Sequence, residues 1–188
     1  TEGVDLAHGQ RERFDVELAG HGQEGLLAEE VAREVHLAVV EERITAACLD
    51  AGRAREDVHL VVVTKFFPRS DLDLLAELGV RDIGENREQE ATAKLAEGGP
   101  PEGVRAHFIG QLQSKKAGPV ARWADVVQSV DRAKVVTALE RGASAAGREL
   151  TVLIQVDLDD GAEEHRGGAS PADVPVLAEQ IVGSDSLR

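Results

Sequence analysis

One lysine at the end of an apolar run is the residue whose position points most directly to chemistry. Lys65 follows residues 59–64, which contain four consecutive apolar residues, a pattern typical of a buried strand. Ligands of α/β folds bind where strands end, so an amine there can meet a carbonyl compound. A lysine held partly out of water can attack such a carbonyl and form a Schiff base. The alternative is that Lys65 only ends the strand and points into solvent.

Polar side chains also stand at or near the ends of the other apolar runs. Hydrogen-bonding groups around one amine suit carbonyl capture and the binding of an aldehyde cofactor. These groups are Asn86, His107, Ser129, Asp131 and Gln155.

Each of these side chains has a structural alternative. Asn86 and Asp131 could cap helices. His107 could be a core histidine whose hydrogen bonds are satisfied, and Ser129 could bond to nearby backbone. Gln155 is the hardest to explain by packing, because a buried amide needs partners.

Helical and strand patterns alternate along most of the chain, after a first helix over 35–51. Strands are predicted at 60–64, 80–83, 106–109, 125–129 and 151–157. Helices are predicted at 71–78, 88–97, within 111–123, at 131–146 and at 170–182. Ser70, Asp131 and Ser170 are the predicted caps, and Pro119 is expected to interrupt or restart a helix.

This alternation predicts an α/β fold with a parallel sheet and right-handed crossovers. A doubly wound sheet and an incomplete (β/α)8 TIM-type barrel both fit. The sequence ends at Arg188, where a sixth strand should begin, which favours a barrel with about five of eight strand–helix units. We expect the domain to span 35–188. Residues 1–34, rich in Gly, Glu, Gln and His, are expected to form a flexible extension that is either disordered or loosely helical.

The overall negative charge disfavours nucleic acids and anionic lipid membranes as binding partners of this chain. The formal net charge of −14 argues against a surface that binds nucleic acid and against binding to anionic lipid.

Three other features of the sequence concern membrane spans, the cysteine and metal binding. The sequence has no apolar stretch of about 18 residues, so no membrane span is predicted. The single cysteine, Cys48, is expected in the core and fits a reducing compartment such as the cytoplasm. The acidic stretch 157–164 lacks the spacing of a calcium loop, so no metal is predicted.

Five ordered motifs resemble the pyridoxal phosphate homeostasis protein family (YggS-type), whose fold is like the N-terminal barrel of alanine racemase. The motifs are VVVTK at 61–65, IGENREQE at 83–90, HFIGQLQSKK at 107–116, SVD at 129–131 and VLIQV at 152–156.

The resemblance implies a (β/α)8 barrel that binds pyridoxal 5′-phosphate (PLP), with Lys65 as the residue of the internal aldimine. It also implies that further residues line the cofactor pocket, with Gln155 on its floor and Lys116 matching a family lysine. These cofactor-binding residues are Asn86, His107, Ser129, Gln155 and Lys116. The sequence departs from the family at Lys115, where an asparagine is typical, and the segments that hold the cofactor phosphate are expected to be absent.

The implied function is a PLP carrier that buffers or delivers the cofactor with little or no turnover. PLP-dependent apoenzymes are its expected recipients, and a monomer or weak dimer is its expected state. The alternatives are a racemase-like PLP enzyme, a Schiff-base aldolase without PLP, and a fragment without function. A racemase of this fold needs a second acid–base group, usually a tyrosine, and the sequence contains none.

Overall fold

The computed structural model describes residues 23–96, 98–159 and 167–188. The chain divides into two units, of which the first ends at Ala47 and the second runs from Cys48 to Arg188. Helix α1 begins at Gln23, so it includes part of the expected extension, whose residues 1–22 lie outside the described residues. The predicted domain boundary at residue 34 stays a prediction. Residues 160–164 of the acidic stretch also lie outside the described residues.

Helices and strands alternate after α1, as the sequence predicts. The α-helices of the described residues are α1 Gln23–Asp50, α2 Arg69–Glu77, α3 Glu88–Lys94, α4 Ala117–Ala121, α5 Ala133–Ala146 and α6 Val174–Val182. The strands are β1 Val62–Val63, β2 Asp82–Glu85, β3 Arg105–Phe108, β4 Val126–Val130 and β5 Thr151–Ile154. Short 3-10 helices occur at Arg55–Asp57 and Ser114–Lys116.

The five strands form one parallel sheet in the order β1-β2-β3-β4-β5. Each strand is therefore next to its sequence neighbour, as in a barrel, whereas a doubly wound sheet reverses its strand order. At the far side of β5, Leu150 forms a parallel bridge with Leu187, and the Val152 amide donates to the Arg188 carbonyl at 2.8 Å. The prediction of an incomplete barrel rather than a doubly wound sheet is confirmed.

Three predicted helix caps are wrong. The N-cap of α2 is Pro68, so Ser70 lies inside the first turn. The N-cap of α5 is Arg132, to which Asp131 is joined by an ion pair. Ser170 opens a turn instead of a helix, because its carbonyl accepts from the Asp173 amide and its hydroxyl bonds to the Asp173 carboxylate. Polar residues suited to capping are equally suited to the turns before helices, which explains these errors.

The expected helix restart near Pro119 is confirmed. Pro119 is the third residue of α4, which follows the 3-10 helix directly. The first four amides of a helix have no partner within it, so the missing N–H of a proline costs nothing at this position.

The helices that follow α1 pack on one face of the sheet, and the apolar core lies between them and the sheet. Fully buried side chains on this side include Ile83 and Phe108 from strands and Leu72 and Leu139 from helices. The Trp123 ring contacts the Phe108 ring edge to face, with centroids 6.1 Å apart.

The structure also bears on two smaller predictions. Cys48 is buried, as predicted. Among the described residues, no helix is both long enough and apolar enough to cross a membrane.

Helices α4 and α5 approach closely at a glycine. A Cβ atom on Gly142 would lie 3.0 Å from the Gly118 Cα and 3.1 Å from the Ala121 Cβ. Gly118 itself has open space where its own Cβ would stand. The two glycines are therefore in contact but differ in their tolerance of a side chain.

We predict that Gly142→Val lowers the free energy of unfolding by about 1–3 kcal/mol, because the branched side chain forces α4 away from α5. Urea unfolding of the chain measures this change. Gly118→Ala is the matched control and should raise stability by about 0.4–1 kcal/mol, since alanine restricts the unfolded chain without a clash. Equal effects of the two substitutions would contradict the predicted contact.

Candidate functional site

Lys65 lies in a tight turn at the carboxyl end of β1. The Thr64 amide donates to the Gly84 carbonyl at 3.0 Å, which extends the ladder between β1 and β2 by one residue. The Phe67 amide then donates to the Thr64 carbonyl at 3.1 Å and closes a four-residue turn. Phe66, the third residue of this turn, has φ 71°, while Lys65 has no positive φ. This combination is typical of a type II turn, with Lys65 at its second position.

Strand pairing places Val63, two residues before Lys65, on the face of the sheet opposite the helices. Val63 pairs with Gly84, and Gly84 pairs with His107, so these positions share one face. A Cβ atom on Gly84 would indeed meet the side chains of Val63 and Ile109. Lys65 comes two residues after Val63, in the turn that follows the strand. In a barrel this face points to the interior, where ligands bind at the carboxyl ends of strands.

Two cations lie against the ring of Phe66. The Lys65 Nζ atom is 5.9 Å from the ring centroid, and the Arg87 guanidinium carbon is 4.7 Å from it. Both distances lie within the range of a cation–π interaction. The ring is 65% exposed, so its position depends on these contacts more than on burial.

Asn86 follows β2 directly and packs against the loop after β3. A Cβ atom on Gly110 would lie 2.2 Å from the Asn86 carbonyl oxygen and 2.7 Å from its Oδ1 atom. Only glycine permits this approach. Asn86 is exposed and is not the cap of α3, since the N-cap is Arg87.

Asn86 and Lys116 line the same open cavity of about 370 Å³, whereas Lys65 is not among its lining residues. The Lys116 Nζ atom is 3.4 Å from the Glu88 carboxylate. Arg87 both lines the cavity and contacts the Phe66 ring, so it lies between the cavity and the turn of Lys65. The remaining lining residues are Glu88, Gln89, Glu90, Phe108, Gln111 and Gln113.

His107 is buried and bonded on both ring nitrogens. Its Nε2 atom is 2.8 Å from the Asp82 carboxylate, and its Nδ1 atom is 2.9 Å from the Gln128 amide nitrogen. Arg105 forms an ion pair with the same Asp82 carboxylate at 2.8 Å. The alternative of a core histidine with satisfied hydrogen bonds therefore describes His107 well.

Ser129 is buried in an irregular part of β4. The register between β4 and β5 shifts between Val127 and Val130, which is the mark of a bulge. Ser129 is 3% exposed. Its hydroxyl is buried and has no hydrogen-bond partner within the described part of the chain. Its predicted alternative role, bonding to backbone, is not observed.

Gln155 follows β5 and is held by the next loop. Its side-chain nitrogen donates to the Gly167 carbonyl at 2.7 Å, and its backbone amide donates to the Val130 carbonyl at 2.8 Å. The side-chain amide of Gln155 was expected to need a partner, and the observed partner is the backbone carbonyl of Gly167.

Sequence reasoning missed the ion pair directly behind the Lys65 turn. The Glu85 carboxylate, fully buried, accepts from the Lys94 Nζ atom at 2.8 Å and from the Thr64 hydroxyl at 2.7 Å. Lys94 also donates to the Thr64 carbonyl at 2.7 Å. The available signal was the acidic residue at the carboxyl end of a strand, where burial of its carboxylate demands a partner.

Comparisons with known proteins show the family to which this chain belongs. Residues 51–188 match the family model described as "Alanine racemase, N-terminal domain". The chain is 40% identical over 168 residues to the pyridoxal phosphate homeostasis protein of Mycobacterium tuberculosis, an alignment that covers 81% of this chain and 65% of that protein. It is 42% identical over 156 residues to the protein of the same name from Corynebacterium glutamicum, covering 79% of this chain and 68% of that protein.

A solved structure shares the fold. PipY of Synechococcus elongatus, with PLP bound, superposes with a TM-score of 0.63 at 30% sequence identity, covering 79% of this chain and 66% of PipY. This chain thus spans about two thirds of the length of these relatives. It belongs to the alanine racemase N-terminal domain family and, within that family, to the pyridoxal phosphate homeostasis proteins.

Proposed function

We propose that this chain binds PLP on Lys65 as part of PLP homeostasis, with little or no turnover. The observation that carries the proposal is the half-buried lysine fixed in a turn at the carboxyl end of β1, in a chain similar to a PLP-bound protein. PLP supplies an aldehyde, which a lysine amine attacks to give a Schiff base and water.

The unpaired hydroxyl of Ser129 supports a polar ligand at this edge of the sheet. A buried hydroxyl without a hydrogen bond costs free energy, so natural proteins keep few such groups. A bound polar group would provide the partner that the described residues do not. Ser129 lies near the end of β4, and Lys65 follows the end of β1, so both belong to the same edge.

The local charge also suits an anionic cofactor. Lys65, Arg87 and Lys116 place three cations around the loops after β1, β2 and β3, although the whole chain carries −14. The carboxylates of Glu88 and Glu90 line the same cavity, and Glu88 pairs with Lys116, so the attraction for an anion comes mainly from Lys65 and Arg87. In the proposal, Lys116 and Asn86 contact the cofactor from their shared cavity.

The carrier function is favoured over racemisation by the acid–base groups of the chain. The sequence contains no tyrosine, and His107 already bonds to Asp82 and Gln128. In the part of the chain that the structure describes, His107 is therefore not free to act as the second proton-transfer group. The proposal includes PLP-dependent apoenzymes as recipients, a monomer or weak dimer, and a cytoplasmic location, which the single cysteine supports.

We predict that borohydride reduction after incubation with PLP labels Lys65, because its backbone is held in a turn at the carboxyl end of β1. Mass spectrometry of the digested chain locates the label. Lys65→Ala should remove it, with a loss of trapped cofactor of about tenfold or more at low PLP concentration.

Lys134→Ala is the matched control for this experiment, since Lys134 is an exposed lysine of α5. It should leave the labelling of Lys65 unchanged. Scattered labelling of several lysines that does not respond to Lys65→Ala would overturn the proposed function.

We predict that Ser129→Ala has opposite effects on stability and on cofactor binding. Without PLP, the free energy of unfolding should rise by about 1 kcal/mol, because a buried hydroxyl without a partner is removed. The affinity for PLP, followed by absorbance titration, should fall several-fold because the ligand loses a hydrogen bond.

Ser144→Ala, at an exposed position of α5, is the control for cofactor binding and should leave the affinity for PLP unchanged. A loss of stability in Ser129→Ala with unchanged PLP affinity would assign Ser129 a structural role only.

A further inference from the structure

We propose that Glu90 and Lys94 of helix α3 are positioning residues that hold Lys65 in place through the backbone on either side of it. This inference rests on the proposed function, because it assigns these residues a role in presenting the Lys65 amine. Neither residue is required to touch the cofactor. The backbone concerned is the turn of residues 64–67.

Lys94 fixes the residue before Lys65. Its amine, with a side chain only 6% exposed, donates to the Thr64 carbonyl at 2.7 Å and to the Glu85 carboxylate at 2.8 Å. The Thr64 hydroxyl donates to the same carboxylate oxygen. Backbone and side chain of Thr64 are therefore both held by one buried ion pair. Charged groups that exclude water in this way hold their partners in a single geometry.

Glu90 fixes the residue after Lys65. Its carboxylate accepts a hydrogen bond from the Phe66 amide and lies 3.8 Å from the Lys94 amine. The Lys65–Phe66 peptide is the unit whose orientation distinguishes a type II turn from a type I turn. By accepting from that amide, Glu90 selects the type II orientation and therefore the direction in which Lys65 leaves the backbone.

The conformation of Phe66 is one that phenylalanine rarely adopts without support. Among the non-glycine residues that the structure describes, only Phe66 has a positive φ. The third position of a type II turn normally takes glycine, because a Cβ atom is strained there. Such a strained residue persists only when its surroundings determine it. The hydrogen bond to Glu90 and the contact with Arg87 stabilise this conformation of Phe66.

The test compares Glu90→Ala with a charge-matched control, Glu77→Ala, which removes an exposed carboxylate from α2. The first measurement needs no PLP: amide hydrogen exchange of Phe66 followed by NMR. We expect exchange about tenfold faster in Glu90→Ala and unchanged in Glu77→Ala, since only Glu90 accepts from this amide. The second measurement is borohydride trapping on Lys65 at half-saturating PLP, which should fall about fivefold in Glu90→Ala.

A rescue variant separates positioning from a general loss of stability. Glycine adopts a positive φ without strain, so Phe66→Gly should allow the type II turn without help from Glu90. The double variant Glu90→Ala/Phe66→Gly should therefore recover most of the trapping on Lys65. Trapping that stays as low as in Glu90→Ala, or a Phe66 amide that exchanges equally in all variants, would overturn the positioning role.

The outcomes distinguish this inference from the proposed function on which it rests. Absence of Lys65 trapping in the parent chain would overturn the proposed function. The Phe66 amide would then still decide whether Glu90 holds the turn, because hydrogen exchange is measured without cofactor. Trapping in the parent chain that is unaffected by Glu90→Ala would keep the proposed function and reject the positioning role.

Discussion

A buried ion pair between Glu85 and Lys94 connects the parts of the molecule that form the candidate site. Through it, the end of β1, the end of β2 and helix α3 share one set of hydrogen bonds. Removing one partner of such a pair leaves an uncompensated buried charge, at a cost of about 3–5 kcal/mol. Apolar residues could replace both partners at little cost, but they could not accept from the Thr64 hydroxyl or donate to its carbonyl. The pair therefore contributes geometry more than net stability.

The two faces of the sheet divide the tasks of the fold. The face that carries Ile83 and Phe108 packs against the helices and is almost entirely apolar, apart from Glu85 and its partners. The opposite face carries Asp82, His107 and Gln128, which bond to one another in a row across three strands. Parallel pairing in sequence order brings all strand ends to one edge. Polar chemistry is thereby confined to one face and one edge of an otherwise apolar core.

Sequence periodicity was sufficient to predict the alternating elements and the parallel sheet, because burial of short apolar runs leaves few alternatives. It did not locate helix starts, since Ser70 and Ser170 suit both caps and turns. The candidate residues at strand ends were found by position alone. Their partners were not: Glu85 with Lys94, and Asp82 with His107, are joined across 9 and 25 residues. Such pairings depend on register and on helix placement, which single-sequence patterns do not encode.

The edge-to-face contact of Trp123 with Phe108 has a spectroscopic consequence. Trp123 is the only tryptophan, and the sequence contains no tyrosine, so near-ultraviolet emission of the chain comes almost entirely from one indole. That indole is 4% exposed, packs on β3 and donates to the Thr92 hydroxyl of α3 at 3.1 Å. Its emission wavelength therefore depends on the contact between β3, α3 and the end of α4. The chain thus contains an intrinsic optical probe in the helical layer behind the edge that carries Lys65.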